Sequence, residues 1–347
     1  MTAAEVEKKL NEAGIKALRI PTPFAVGRVN CYLLEDEPLT LVDAGPNSGK
    51  ALDELESQLS ENGRSIEDLE LMILTHQHID HLGLADIVAR RSGAEVAAID
   101  AVVPFMENFG DDAERDDEQA AELMHSHGIP EDVVAALRTV SGSFRAWGSK
   151  TKVTRPLQDG EMLEFRDRTL EVMLRPGHSP SDTLFWDADR RILIAADHLI
   201  KEISSNPLIS RRLDGSNERR QALVEYIDSL AKTRELPAEI VLSGHGEPIT
   251  DHVALIDERF ALHERRAEKL YGLIVEQPRT GYELAQALWG NVAVTQAFLT
   301  LSEVIGHVDL LVNAGRVREV EDDGVVRFEA TGEGEPVAIG NRAAAKG

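Results

Sequence analysis

Cysteine is almost missing from this sequence. Cys31 is the single one among 347 residues, so no disulfide can form within the chain. A cysteine-built zinc site is excluded as well. Any metal has to be held by imidazole and carboxylate, a donor set that suits zinc, iron or manganese better than copper(I). Basic charge is also scarce: 37 Lys and Arg stand against 61 Asp and Glu, a formal net charge of −24. A field of that sign repels polyanions at long range and disfavours nucleic acid and anionic membrane surfaces as partners. No stretch reaches the roughly 18 uninterrupted apolar residues of a membrane span. The start, "MTAAEVEKKLNEAGIKALRI", is charged and has no apolar signal-peptide core, which predicts a cytoplasmic location. Cys31 lies in a strand pattern and is expected to be a buried, inert thiol.

What is present is an alternation of short aliphatic runs with turns and helical segments, up to about Pro248. "CYLLE", "LTLVDAG", "LELMILTH", "AEVAAID", "RTLEVMLRPGH", "RRILIAADH" and "AEIVLSGHG" read as strands. Residues 48–58 and 84–91 read as helices. Such mixing over some 250 residues predicts an α/β domain over 1–250. Between Ala101 and Lys150 the strand pattern stops and a helical insert with scattered aromatics takes over. It reads equally as a layer covering a sheet and as a cap over a substrate pocket.

From Asp251 the pattern changes. Val253, Ile256, Phe260, His263, Ala267, Leu270 and Ile274 recur at spacings of three and four, one face of a long helix that Pro278 ends. Thr280 and Glu283 form a capping box for the next helix. A third helix closes at Gly315, and "RVREVEDDGVVRFEA" reads as a hairpin around Asp-Gly. Residues 251–331 are thus expected to be a winged-helix-like helical domain, and 332–347 a disordered tail. Between His252 and Ala330 there are 13 acidic and 8 basic residues, a net of −5. A nucleic-acid recognition surface is normally basic, so packing, pocket closure or pairing of two copies is the favoured role.

The chemistry is concentrated in "THQHIDH". His76 and His78 follow directly on a strand, and Asp80 with His81 lie where the chain turns into a helix. Neutral imidazole and carboxylate are good ligands for borderline divalent metals. His178, Asp197 and His245 come later, each just past its own aliphatic strand. Loops leaving a rigid sheet are common places for functional groups. His125 and His127 lack such a strand and read as surface residues. His198 reads as structural or as support for Asp197, and His252, His263 and His307 as packing or surface residues.

In this order, H-x-H-x-D-H, a lone His, a lone Asp and a His in "GHG" resemble the metallo-β-lactamase superfamily. "LVDAG" is similar to that family's early D-x-G turn, at Asp43 and Gly45. The resemblance implies a four-layer αββα sandwich with metals at one edge. It implies that His76, His78 and His178 hold one metal, that Asp80, His81 and His245 hold a second, and that Asp197 bridges them, with Asp43 orienting ligands from behind. The C-terminal segment, best in "SEVIGHVDLLVNAGRV", is similar to the winged-helix-like domain of the β-lactamase-like protein 2 group, a glyoxalase II-like branch. Two divalent ions are expected, zinc first and iron or manganese as alternatives.

A metal pair about 3.5–4 Å apart can lower the pKa of a shared water from 15.7 to roughly 7. The expected catalytic set is then Asp80 and Asp197 with a metal-bound hydroxide. No G-x-S-x-G elbow offers a covalent nucleophile, and no acid is evidently placed for a poor leaving group. A thiolate of pKa about 8.5 leaves without one. The expectation is a hydrolase of a small thioester or ester. Alternatives are a lactonase, a phosphodiesterase or ribonuclease, and a mononuclear iron persulfide dioxygenase, which uses fewer ligands than the seven found here.

Overall fold

A computed structural model describes residues 1–216 and 218–340. The strands are numbered in chain order, and helices are given by their ranges. A six-stranded sheet runs β1 (Ile15–Ile20), β2 (Val29–Leu34), β3 (Thr40–Val42), β4 (Leu71–Ile73), β5 (Glu95–Ile99) and β6 (Arg155–Leu157). Its first three strands pair antiparallel and its last three steps are parallel. The second sheet holds β7 (Met162–Glu164), β8 (Thr169–Leu174), β9 (Thr183–Asp187), β10 (Ile192–Ala196) and β11 (Ile240–Ser243). Its spatial order is β11-β10-β9-β8-β7, parallel only between β10 and β11. A third sheet, β12 (Arg279–Thr280), β13 (Val317–Asp322) and β14 (Val325–Ala330), has the order β12-β14-β13.

Burial explains which strands the aliphatic runs could announce. In β2, β10 and β11 every residue is buried. Strands covered on both faces read as continuous apolar runs. By contrast β1, "IKALRI", is buried in the irregular pattern of a half-covered edge strand, and its apolar signal is diluted by Lys16 and Arg19. It was not among the expected strands, nor were β6, β7, β9 and β12, which are all five residues or shorter. The expected helices appear at Gly49–Glu61, capped by the Ser48 hydroxyl, and at Ala85–Ser92. Cys31 is fully buried.

Two compact units divide the chain. The first comprises Met1–Ala113, Phe144–Ser205 and Leu236–His252, and carries the two large sheets. Mixed sheets with outer helices make this the α/β sandwich expected. The second comprises Glu114–Ser143, Asn206–Glu235 and the chain from Val253. Its helices include Ala222–Arg234, Gly281–Trp289 and Ala297–Asn313, with the third sheet beside them in sequence. The middle of the helical insert therefore groups with the C-terminal helices instead of the sheets it interrupts. An apolar core built from Met124, Ile129, Val134, Ile209, Leu301 and Ile305 holds the unit's three segments together. Helix Ala222–Arg234 was not anticipated from the sequence. Seven of its thirteen residues are buried, Ser229 and Thr233 among them, so its apolar stripe is not clean.

Local expectations in the C-terminal segment hold closely. The long helix runs His252–Glu276, and Thr280 and Glu283 make the reciprocal capping box. The hairpin turns at Asp323 and Gly324, both with positive φ, as the two central residues of a tight hairpin require. One correction concerns the tail: of the segment expected to be disordered, Val337 and Ile339 are buried, and the Ile339 N–H donates to Glu264. Residues 341–347 lie outside the described residues. Among the described residues no helix is long and apolar enough to cross a membrane.

Candidate metal centre

All seven expected donor side chains, His76, His78, Asp80, His81, His178, Asp197 and His245, belong to the first unit and converge at strand ends. His76 and His78 follow β4. Asp80 and His81 sit on the single-turn helix Ile79–Leu82. His178 lies beyond β8, Asp197 directly beyond β10 and His245 beyond β11. Two neighbouring backbone positions are strained to achieve this: Asp43, just past β3, has φ 59°, and Ala196, before Asp197, has φ 43°. Positive φ costs a non-glycine residue of order 1 kcal/mol and survives where surrounding contacts over-determine it.

Asp43 shows those contacts. Its carboxylate accepts from the Thr75 N–H at 2.9 Å, from the Thr75 hydroxyl at 2.8 Å and from His81 Nδ1 at 2.8 Å. That fixes His81 as the tautomer whose Nε2 points the other way, towards Asp197 Oδ1 at 3.4 Å. His245 is oriented similarly, because its Nδ1 donates to the Arg28 carbonyl at 2.9 Å. Its Nε2 then faces Asp80 at 3.4 Å and Asp197 Oδ2 at 3.5 Å. With Thr75 donating to Asp43, its oxygen is left to accept from His76 Nδ1 at 3.0 Å, which exposes the His76 Nε2 lone pair. That atom lies 3.1 Å from His78 Nδ1, which lies 2.9 Å from His178 Nε2.

Two triads result, His76/His78/His178 and Asp80/His81/His245, each with its donor atoms within 4.8 Å of one another. Asp197 reaches both: its Oδ2 is 3.6 Å from His178 Nε2 and 3.5 Å from His245 Nε2. The donor set fits divalent cations on a structural ground. His81 Nε2, Asp197 Oδ1 and His245 Nε2 are buried and have no hydrogen-bond partner. Buried polar atoms are rarely left so, and a cation coordinated by all three satisfies them together.

Electrostatics agree. Burial, and then the repulsion of His178, brings His78 down to about 3. His76 is lowered by burial and by His81 and His78. Both are neutral imidazoles, the form a metal takes. Burial opposes charge on His245 too, but Asp197 and Asp80 outweigh it and lift the ring to about 10. At His81 the same contest is won by Asp197 and Asp43. Asp197 stays ionised against its burial because His81 and His245 face it. The carboxylates that hold protons on these rings are the charges that would balance a divalent cation in their place.

Three supporting features went unassigned at the level of sequence. Thr75 lies inside "THQHIDH" but offers no donor pattern of its own, and only its partners reveal its role. Gly244 carries no side chain because none fits: a Cβ there would stand 2.1 Å from Asp197 Oδ1 and 2.9 Å from His81 Cε1. Buried Gln77 accepts a hydrogen bond from the Ser181 hydroxyl, tying the His76–His78 loop to the His178 loop. His198, beside Asp197, is buried and held neutral down to about 3, first by burial and then by Arg175. His127, read as a surface residue, is instead buried in the second unit and stacks on Phe328 with ring centroids 5.5 Å apart. The cause is tertiary, since nothing adjacent in sequence covers it.

The chain is similar to several known proteins. The chain is 32% identical over 295 residues to the probable metallo-hydrolase YqjP of Bacillus subtilis (strain 168), covering 85% of this chain and 91% of that one. It is 23% identical over 234 residues to the hydroxyacylglutathione hydrolase GloC of Haemophilus influenzae, covering 66% and 90%. The crystal structure of the metallo-beta-lactamase family protein TTHA1429 from Thermus thermophilus superposes with a TM-score of 0.74 at 27% identity, covering 91% of this chain and 98% of that one. The model of the metallo-beta-lactamase superfamily matches residues 25–245, the span that holds every one of the seven donors, and the chain belongs to that superfamily.

Proposed function

We propose that this protein is a binuclear metal-dependent hydrolase of thioester or ester bonds, in the glyoxalase II-like branch with a winged-helix-like C-terminal domain. The observation that carries the binuclear reading is the position of Asp197, whose oxygens lie 3.4–3.6 Å from imidazoles of both triads. His76, His78 and His178 would hold one cation, and Asp80, His81 and His245 the other. Zn2+ is the proposed ion, since imidazole with carboxylate and no thiolate is among its usual donor sets. Bound there, the pair would supply Lewis acidity and a water acidified towards neutral pH.

The chain's own residues do the rest. Asp43 and the Arg28 carbonyl engage Nδ1 of His81 and His245, so Nε2 of each ring is aimed at the centre, where a cation would replace the proton it carries. Asp80 and Asp197 keep negative charge in a buried place, where it counts most. The loop ending at Arg28 also carries Phe24, which meets Phe144 edge-on at 5.6 Å, while Val26 and Phe144 remain more than a third exposed. That apolar surface suits an acyl group. The relative named hydroxyacylglutathione hydrolase supports an acyl substrate.

A substrate panel tests the reading: acyl-thioesters, aryl esters, lactones and a phosphodiester, each with chelator-stripped protein as the control. Metal-dependent turnover of a thioester or ester is expected to exceed that of the phosphodiester by at least about a hundredfold, the scale on which a site discriminates between reaction classes. Cleavage of the phosphodiester alone would refute it.

A further inference from the structure

The second unit holds another convergence of metal-ligating side chains. His263 lies on helix His252–Glu276, and Glu303 and His307 lie one turn apart on helix Ala297–Asn313. Both imidazoles are completely buried. His263 Nδ1 is 3.0 Å from His307 Nε2, the same separation at which ring nitrogens face one another in the first unit. One donor atom from each of the three residues falls within 4.8 Å of the other two.

A hydrogen-bonded chain alone leaves a defect. His307 Nδ1 donates to the Glu303 carbonyl at 2.6 Å, so its Nε2 carries a lone pair, and His263 Nδ1 can donate to it. His263 Nε2 has no partner in a ring that no solvent reaches; because Nδ1 is the atom that faces His307, the ring would have to turn over to bring Nε2 to a shared cation. A proton does not resolve this. Burial, with repulsion from His307, brings His263 down to about 3, and burial brings His307 to about 3 against its hydrogen bond to Glu303. Two neutral imidazoles and one carboxylate are a donor set that borderline divalent cations accept. Glu303 Oε1 lies 3.8 Å from His307 Nδ1 and also pairs with Arg266, whose guanidinium lies 5.7 Å over the Trp289 ring, so a metal would share this carboxylate with the arginine. Metal–donor bonds of about 2.0–2.2 Å are within reach of side-chain adjustment from donors that already lie within 4.8 Å of one another.

We propose that His263, Glu303 and His307 form a third divalent-metal site, structural in role, which takes Zn2+ or a similar ion and fastens helix His252–Glu276 to helix Ala297–Asn313. The site lies among residues that the proposed hydrolysis does not use.

Elemental analysis of the full-length protein equilibrated in buffered Zn2+ tests it. His263→Gln should hold one zinc fewer per chain than the parent, whatever number the centre around Asp197 retains, with hydrolysis unchanged. Equal zinc content in the two would overturn the proposal. Should His263→Gln fail to fold, Glu303→Gln serves: its affinity for the third zinc should drop about tenfold to a hundredfold or more, as for changes around other metal sites. A second arm uses Co2+ with the protein carrying His76→Gln, His178→Gln and Asp197→Asn, with and without His263→Gln, because the Asp80/His81/His245 triad can still take an ion in this background. Ligand-field bands that His263→Gln removes support the site, and identical spectra with and without that change refute it.

Discussion

His245 and His307 are both buried imidazoles, yet their surroundings drive them in opposite directions. His245 is lifted to about 10 although burial opposes its charge, because Asp197 and Asp80 face it. His307 is held down to about 3, where the nearest carboxylate, Glu303, is already paired with Arg266. Burial imposes a similar cost on each ring. What differs is whether a carboxylate is free to compensate. The first unit turns Asp43, Asp80 and Asp197 onto its histidines, and these carboxylates face imidazoles in place of an arginine. The second unit buries His127, His263 and His307 as neutral groups, and so keeps lone pairs instead of cations.

Removing the compensating charge is the strongest way to break this contrast. Asp197→Asn keeps shape and loses the anion shared by both triads. Turnover on the best panel substrate should fall by at least about a hundredfold, the scale of losing one key electrostatic contact. Bound metal should fall with it while far-UV circular dichroism stays unchanged. A turnover within tenfold of the parent would mean that Asp197 does not link the triads.

A smaller effect is expected from crowding the centre without touching its charge. Gly244→Ala would push a methyl group against Asp197 and His81. Chelator competition should show metal affinity weaker by about tenfold to a hundredfold, as for other changes around a ligand shell. An unaltered affinity would show that the close approach has slack.

The smallest effect sharpens the second unit's side of the comparison. Burial, and then Arg219, brings His127 down to about 4, against about 6.5 in an unfolded chain. Because the folded value is the lower one, the unfolded chain takes up its proton first as pH falls. The stability that depends on this ring is complete above pH 6.5 and is lost between 6.5 and 4, by up to about 1.4 kcal/mol per pH unit. His127→Phe, which preserves stacking on Phe328, should flatten denaturant-measured stability between pH 7 and 5 relative to the parent. Parallel curves would place the acid sensitivity elsewhere.

Much of the centre could be read in advance, and the reason is local. His76, His178, Asp197 and His245, four of the candidate donors, each follow shortly on an aliphatic strand, as in "ILIAADH" around Asp197 and "VLSGHG" around His245. The Thr280–Glu283 capping box and the Asp323–Gly324 turn are also contacts between near neighbours, and both appear as expected. Buried His127 and the unanticipated helix Ala222–Arg234 were illegible for the opposite reason. His127 is covered by Phe328, some two hundred residues on, and the helix packs polar residues that only its neighbours make tolerable.

By itself, then, the sequence determined which side chains are the candidate donors, their order, and their placement near strand ends, since these follow from short-range periodicity and turn chemistry. Tertiary structure alone decided which lone pair each ring presents, through Asp43, Thr75 and the Arg28 carbonyl, and which donors meet across separations of up to 165 residues, as Asp80 and His245 do. It also gathered the second unit from three separate segments, an outcome governed by apolar burial between residues whose pairing leaves no local trace in the chain.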